Sequence, residues 1–389
     1  MKKIVSLLLV LVLAIGTMGI FAACAPTTEK TTLEIKYTYG GQFFGDANIT
    51  AKMNGWYSAG TEIVFACGGG IYTSAVEAAN SNNANVIGVD VDQGYIDDCI
   101  VTSSMKALQE SVMTALAVYF AGDWDLVGGT AATLGLNSTL AGQDAKDYVG
   151  IPTATDSWRF DNFTMAQYQE ILTKIKANLP ASNNASNPNY AGTITPGNYI
   201  ALVTDVGTID DESFNQAAWQ GVVAYAQANN IDYNYFQPNE DSLEARATSI
   251  ALAIENGADV IVCPGFLFEE TIFAVQDQYP DVAFILLDGT PNHNYEEFKI
   301  ADNTFCILYQ EEQAGFLAGY AAVMDGYTKL GFLGGMAVPA VVRYGYGFVQ
   351  GADYAIQVLN GTASDVITIS NSTDARPTVS SNTTVIYID

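Results

Sequence analysis

The sequence predicts an α/β protein built from two similar lobes. Apolar runs of strand length alternate with helical stretches that open after glycine or acidic loops, the pattern of parallel βαβ units. Two of these units look alike. In the first, Glu62 to Cys67 reads as a strand ending at Gly68-Gly69-Gly70, a helix crosses Val76 to Ala79, and Val86 to Val89 returns before Asp90. In the second, Asp259 to Cys263 ends at Pro264-Gly265, a helix crosses Thr271 to Gln278, and Val282 to Leu287 returns before Asp288. The chain has 389 residues, 49% of them apolar. At roughly 100 to 200 residues per domain, that is enough for two cores.

Charge narrows the function. Forty-two acidic side chains against 15 basic ones give a formal net charge of −27. A nucleic-acid partner is excluded, because such binding rests on neutralising phosphates. The same sign disfavours an anionic membrane surface against the folded body. The field favours a neutral or cationic ligand.

Taken from the N-terminus, Lys2 and Lys3 precede an apolar run from Ile4 to Ala23, which reads as a signal peptide over 1–23. The run ends in Phe21-Ala22-Ala23-Cys24, similar to a bacterial lipobox with Phe21 where Leu is usual, so Cys24 is expected to carry lipid at a mature N-terminus. Residues 24–32 then read as a polar tether. The competing reading is an uncleaved membrane anchor, since about 20 apolar residues span a bilayer. Cys67, Cys99, Cys263 and Cys306 have no CxxC spacing and read as small buried hydrophobes. Residues 179–197, rich in Pro, Asn, Ser and Gly, read as a linker between blocks 33–178 and 198–360. The tail 361–389 alternates apolar and Ser/Thr/Asn residues, as edge strands do.

Catalytic and metal motifs are missing. His293 is the single histidine, in a loop of Pro, Asn and Tyr, so no triad, zinc site or facial triad built around several imidazoles can assemble. GxSxG, Walker A and GxGxxG at a strand-helix junction do not occur, and neither does an EF-hand loop. No cofactor is implied. A carboxylate pair such as Asp90 and Asp288 leaves a hydrolase as a rival reading.

The residues suited to binding lie at expected strand ends, where open parallel sheets bind ligands. Asp90 and Asp288 hold matched positions there; capping the next element is their alternative duty. After the strand Ile200 to Val203, an acidic loop from Thr204 to Glu212 leads to Ser213-Phe214-Asn215-Gln216. Ser213 and Gln216 fit a capping box, which puts Phe214 and Asn215 in the first helical turn beside Asp205. A ring, an amide and a carboxylate suit a flat heterocycle, stacked on its face and hydrogen-bonded at its edge. A packing contact in the helix-sheet interface is the other reading of Phe214. Tyr37 to Asp46 has the same character, with Phe44 placed to close a stack from the opposite side. Gly68, Gly69 and Gly70 either bring backbone N–H groups to a ligand or make a tight turn, with Ser74 and Glu77 as a second capping box. Lys106 either pairs with a cleft carboxylate or is solvated on a helix.

At these residues the sequence resembles the basic membrane protein family of ABC-transporter substrate-binding lipoproteins. The resemblance rests on LVTDVGTIDDESFNQAAWQG, DVIVCPGFLF and FILLDG, on EQAGFLAGY and LGFLGG, and on GGQFFGDA, FACGGG, IGVDVDQ and IVTSSMK. It implies a type I periplasmic-binding-protein fold, with two Rossmann-like lobes of parallel sheet and a hinged cleft. By the same resemblance Phe214 and Phe44 stack on a purine nucleoside, Asp205 and Asn215 read the base edge, and Asp288 and Asp90 bind ribose. Gly68 to Gly70 and Lys106 then give support, and an ABC permease with its ATPase subunits receives the nucleoside. A sugar or other small polar solute is the alternative ligand, and a nucleoside hydrolase the rival class. One departure is large: the family's first block stands second here. On this reading 198–327 forms the first family lobe, and 33–178 forms most of the second plus a returning helix. Residues 328–360 then complete the second lobe with a strand and helix.

Overall fold

The computed structural model describes residues 30–180, 187–205, 207–372 and 376–388. The expected signal peptide, Cys24 and most of the tether lie outside the described residues, as do 181–186 of the linker.

Two parallel sheets organise the chain. The first has the order β15-β1-β14-β2-β3-β4-β6, formed by β1 (Leu33–Tyr39), β2 (Ile63–Cys67), β3 (Asn85–Asp90), β4 (Ile100–Lys106), β6 (Val149–Gly150), β14 (Lys329–Gly334) and β15 (Thr383–Tyr387). Its strands run parallel except β6, which pairs antiparallel with β4. The second sheet is wholly parallel, in the order β5-β13-β10-β9-β7-β8: β5 (Thr130–Leu134), β7 (Tyr199–Val203), β8 (Asp232–Phe236), β9 (Val260–Pro264), β10 (Ala283–Leu287) and β13 (Thr304–Tyr309). A short ribbon joins β11 (Asn292–His293) to β12 (Glu297–Phe298). The central strands β2, β9 and β10 are buried at every residue. Such runs follow from helices covering both faces of the sheets.

Helices α1 (Ala47–Ser58) and α2 (Tyr72–Asn82) pack together on the first sheet, as do α8 (Glu311–Asp325) and α9 (Pro339–Leu359), with α4 (Met165–Ala177) beside α8. Helices α3 (Leu108–Ala121), α5 (Phe214–Asn229), α6 (Leu243–Glu255) and α7 (Phe268–Val275) cover the second. The sequence blocks cross between these lobes. The chain leaves the first sheet at β4, builds α3 and edge strand β5 on the second, and returns at β6. It crosses again from β13 to α8. Linker residues on the far side run along the second lobe, where Asp302 accepts from Ala191 N and Asp259 accepts from Asn198 N. Strand β14 inserts between β1 and β2, so residues more than 260 positions apart are neighbours. The tail supplies β15 on the sheet's edge, as its alternation predicts.

All four described cysteines are free and buried. No described helix is long and apolar enough to cross a membrane.

Helices α8 and α9 approach closely enough for backbone contact. A methyl on Gly319 would stand 2.2 Å from Phe348 O, and one on Gly351 1.9 Å from Phe316 O. Glycine costs each helix about 1 kcal/mol in propensity, offset by this packing. Gly351→Ala is therefore expected to lower stability by about 1–3 kcal/mol through overpacking. Gly55→Ala, which meets nothing within 4 Å, is expected to raise it slightly. Urea denaturation of both variants against wild type checks the contrast.

Candidate functional site

The carboxyl ends of both sheets face one cavity of about 360 Å³, lined from the first lobe by Phe43, Phe44, Gly68–Gly70, Asp90, Lys106 and Tyr344. The second lobe lines it with Asp205, Asp211, Phe214, Asn215, Phe266 and Asp288. All ten residues singled out for ligand contact in the sequence thus line a single cavity.

Asp90 ends β3 and Asp288 follows β10 in the same left-handed conformation, with φ of 65° and 57°. A non-glycine residue held there costs on the order of 1 kcal/mol, and such residues cluster at functional sites. Among the described residues neither carboxylate accepts from a backbone N–H, which removes the capping alternative. Asp90 Oδ2 instead accepts from Ser213 Oγ of the opposite lobe at 2.8 Å, and Tyr344 OH stands 3.4 Å from its other oxygen. Asp288 Oδ2 accepts from Lys106 Nζ at 2.5 Å, again across the lobes.

Lys106 is the hub of a buried charge cluster. Its ammonium also lies 3.5 Å from Asp90, 3.7 Å from Glu311 and 4.6 Å from the Phe214 ring centroid. Desolvation pulls its pKa down, but Asp288, Asp90 and Glu311 outweigh that and hold it above the ordinary lysine value. The solvated-lysine reading therefore fails. Glu311 Oε2 accepts from Arg343 Nε at 2.5 Å, and burial raises its carboxyl despite that partner. Burial likewise raises Asp90, with Lys106 and Ser213 pulling back. Lys106 and Glu311 sit where the chain crosses between lobes, at the end of β4 and the start of α8.

The base-edge candidates form a second group. Asp205 Oδ1 accepts from Gly207 N at 2.8 Å and from Asn215 Nδ2 at 3.0 Å. Asn215 Nδ2 also donates to Asp211 Oδ2, which fixes the amide so that Oδ1 is the group without a partner. Desolvation lifts Asp205 to about 6, against the pull of Gly207 N–H and Asn215.

Two expected capping boxes are corrected. Asp211 rather than Ser213 caps α5, accepting from Ser213 N and Gln216 N at 2.9 and 3.1 Å, and Gln216 Oε1 takes Glu212 N. Ser213 Oγ is thereby released to reach Asp90. Ser74 lies inside α2, behind Ile71, and donates to Asp46 O. Gly68 and Gly69 do adopt positive φ, 150° and 45°, so the turn and the approach to the cavity coexist.

Phe44 stands at the rim, 62% exposed, whereas Phe43 lies deeper, against Gly68 and Gly335 and 6.4 Å from Phe266 of the other lobe. Sequence reasoning missed Phe43, Phe266, Tyr344 and the Arg343–Glu311 pair. The signal for Phe266 was available: it follows β9 as the glycine run follows β2.

Two lobes of mainly parallel sheet, enclosing a polar and aromatic cavity at their strand ends and joined by several crossing segments, have the architecture of the type I periplasmic-binding-protein fold. The chain belongs to the Bmp family, described as "ABC transporter substrate-binding protein PnrA-like", whose model matches residues 17–176 and 199–380. A "CD4+ T-cell-stimulating antigen" of Listeria monocytogenes is 30% identical over 39% of this chain and 42% of its own length. The "ABC transporter nucleoside-binding protein BmpA" of Lactococcus lactis is 31% identical over 39% and 42%. The chain thus spans less than half the length of the curated relatives it matches. A solved "ABC transporter system solute-binding" protein from Aeropyrum pernix K1 is 23% identical over 49% of this chain and 47% of its own, with a TM-score of 0.36. The family role is binding, not catalysis.

A carboxyl raised to about 6 in the fold and near 3.8 when unfolded holds its proton more tightly in the folded state. Its stabilising effect is complete below the unfolded value and is lost as pH rises through 6. Asp205→Asn is therefore expected to gain stability relative to wild type between pH 4 and 7, by up to about 2 kcal/mol. Urea midpoints at the two pH values check this; parallel curves would remove the raised carboxyl.

Proposed function

We propose that the protein is a lipid-anchored extracytoplasmic receptor that captures a purine nucleoside between its lobes and passes it to an ABC permease and its ATPase subunits. The observation that carries this reading is the polarity of the cavity. Among lining residues, the buried side-chain polar atoms left without hydrogen-bond partners are Asn215 Oδ1 and Asp288 Oδ1, both acceptors. Asn215 is hydrogen-bonded to Asp205, and Asp288 to Lys106. Asn215 and Asp205 present acceptors to base N–H groups, and Asp288 with Asp90 presents acceptors to ribose hydroxyls. An unpartnered buried acceptor costs about 1–3 kcal/mol, which a hydroxyl or N–H donor recovers. Phe214 and Phe44 supply faces for stacking, with Phe43 and Phe266 beside them. The volume suits a small ligand, and a carboxyl-lined cavity disfavours a phosphate.

Binding follows from closure. As the lobes rotate about the crossings at β4, β5 and β13, water leaves the cavity and the hydrogen bonds to the carboxylates strengthen in the drier site. No bond is made or broken. The order of the two blocks is read as an exchange of family segments.

Isothermal titration with guanosine, adenosine, cytidine, ribose and guanosine 5′-monophosphate tests the reading. Purine nucleosides are expected to bind and the monophosphate and ribose to bind far more weakly. Phe214→Ala and Asp288→Asn are each expected to weaken nucleoside binding by at least ~1 kcal/mol. Wild-type affinity in both would overturn the site, and free base among the products would favour a hydrolase.

A further inference from the structure

The lobes also touch outside the cavity, at the segment that carries Phe214. Gln93, wholly buried in the first lobe, has its amide fixed: Oε1 accepts from Val89 N at 3.0 Å, and its backbone N–H donates to Ser103 Oγ at 3.0 Å. Its remaining donor, Nε2, crosses to the carbonyl oxygen of Glu212 at 2.9 Å. Two residues on, Tyr95 is 66% exposed and donates its hydroxyl to the Glu212 carboxylate. Glu212 is itself held in the left-handed region, φ 54°, with Gln216 on both its N–H and its carboxylate. Gln93, Tyr95 and Glu212 do not line the cavity.

We infer that Gln93 and Tyr95 are positioning residues that latch the closed cleft by gripping Glu212, and so hold Phe214, two residues later, over the ligand. A glutamate kept at positive φ is strained, and the cross-lobe contacts add to those of Gln216 in compensating it. Opening breaks both contacts, whereas the encounter with an open cleft does not need them. The latch therefore acts on release more than on capture.

Tyr95→Phe and Glu212→Gln, made singly and together in the full chain, test it by hydrogen exchange of the 211–216 amides without ligand and by guanosine dissociation in stopped flow. Each single variant is expected to speed 211–216 exchange and guanosine release by about threefold or more, with an unchanged thermal midpoint. The double variant is expected to be no faster than the worse single one, because both remove one contact. Wild-type exchange in both single variants, or additive effects in the double, would overturn the latch. The ligand arm rests on the proposed nucleoside reading. If wild type binds no guanosine, that reading falls, and the exchange rates alone decide the latch.

Discussion

One buried ammonium organises the centre of the molecule. Lys106 leaves water at the end of β4 and is surrounded by Asp288 from the second lobe and Asp90 and Glu311 from the first. Removing such a charge from water costs several kcal/mol, repaid only by close opposite charge. Three carboxyl groups provide that, and two of them are the strand-end aspartates of the cavity. A buried ion cluster is weak evidence for stability, but it specifies geometry. With Asp288 on one lobe and Asp90 and Glu311 on the other, the compensation is complete only when the two sheets face each other at this distance.

The surrounding residues serve the same arrangement. Arg343 neutralises one oxygen of Glu311 from the first turn of α9, a helix begun by Pro339, whose missing N–H costs nothing at that position. Asp211 caps α5, and Ser213 is then free to bridge to Asp90. Substituting one capping oxygen for another converts a local helix signal into a contact between lobes. Asn215 Oδ1 and Asp288 Oδ1 are left without hydrogen-bond partners in the cavity.

Much of this was legible. The βαβ periodicity, the matched aspartates and the glycine turn follow from local rules, since strand runs, φ preferences and helix starts depend on residues close in sequence. The ligand class proposed for the site came from the family motifs and not from those local rules. The capping boxes were misassigned for a related reason: Ser213 and Ser74 have the right neighbours, but a competing acceptor two residues before Ser213, and a helix start three residues before Ser74, take the role. Phe43 was passed over because only a partner in the other lobe distinguishes it from a core aromatic.

The sequence by itself determined the α/β class, the presence of two similar units and the strand ends that carry Asp90 and Asp288, because each depends on composition or short-range pattern. Tertiary structure decided which segments share a sheet, with β14 between β1 and β2 and β5 beside β13. It also decided which charges meet at Lys106 and which oxygens are left without partners. Those outcomes depend on residues as far apart as Leu33 and Thr383, brought together by backbone pairing and desolvation, neither of which leaves a local signal in the chain.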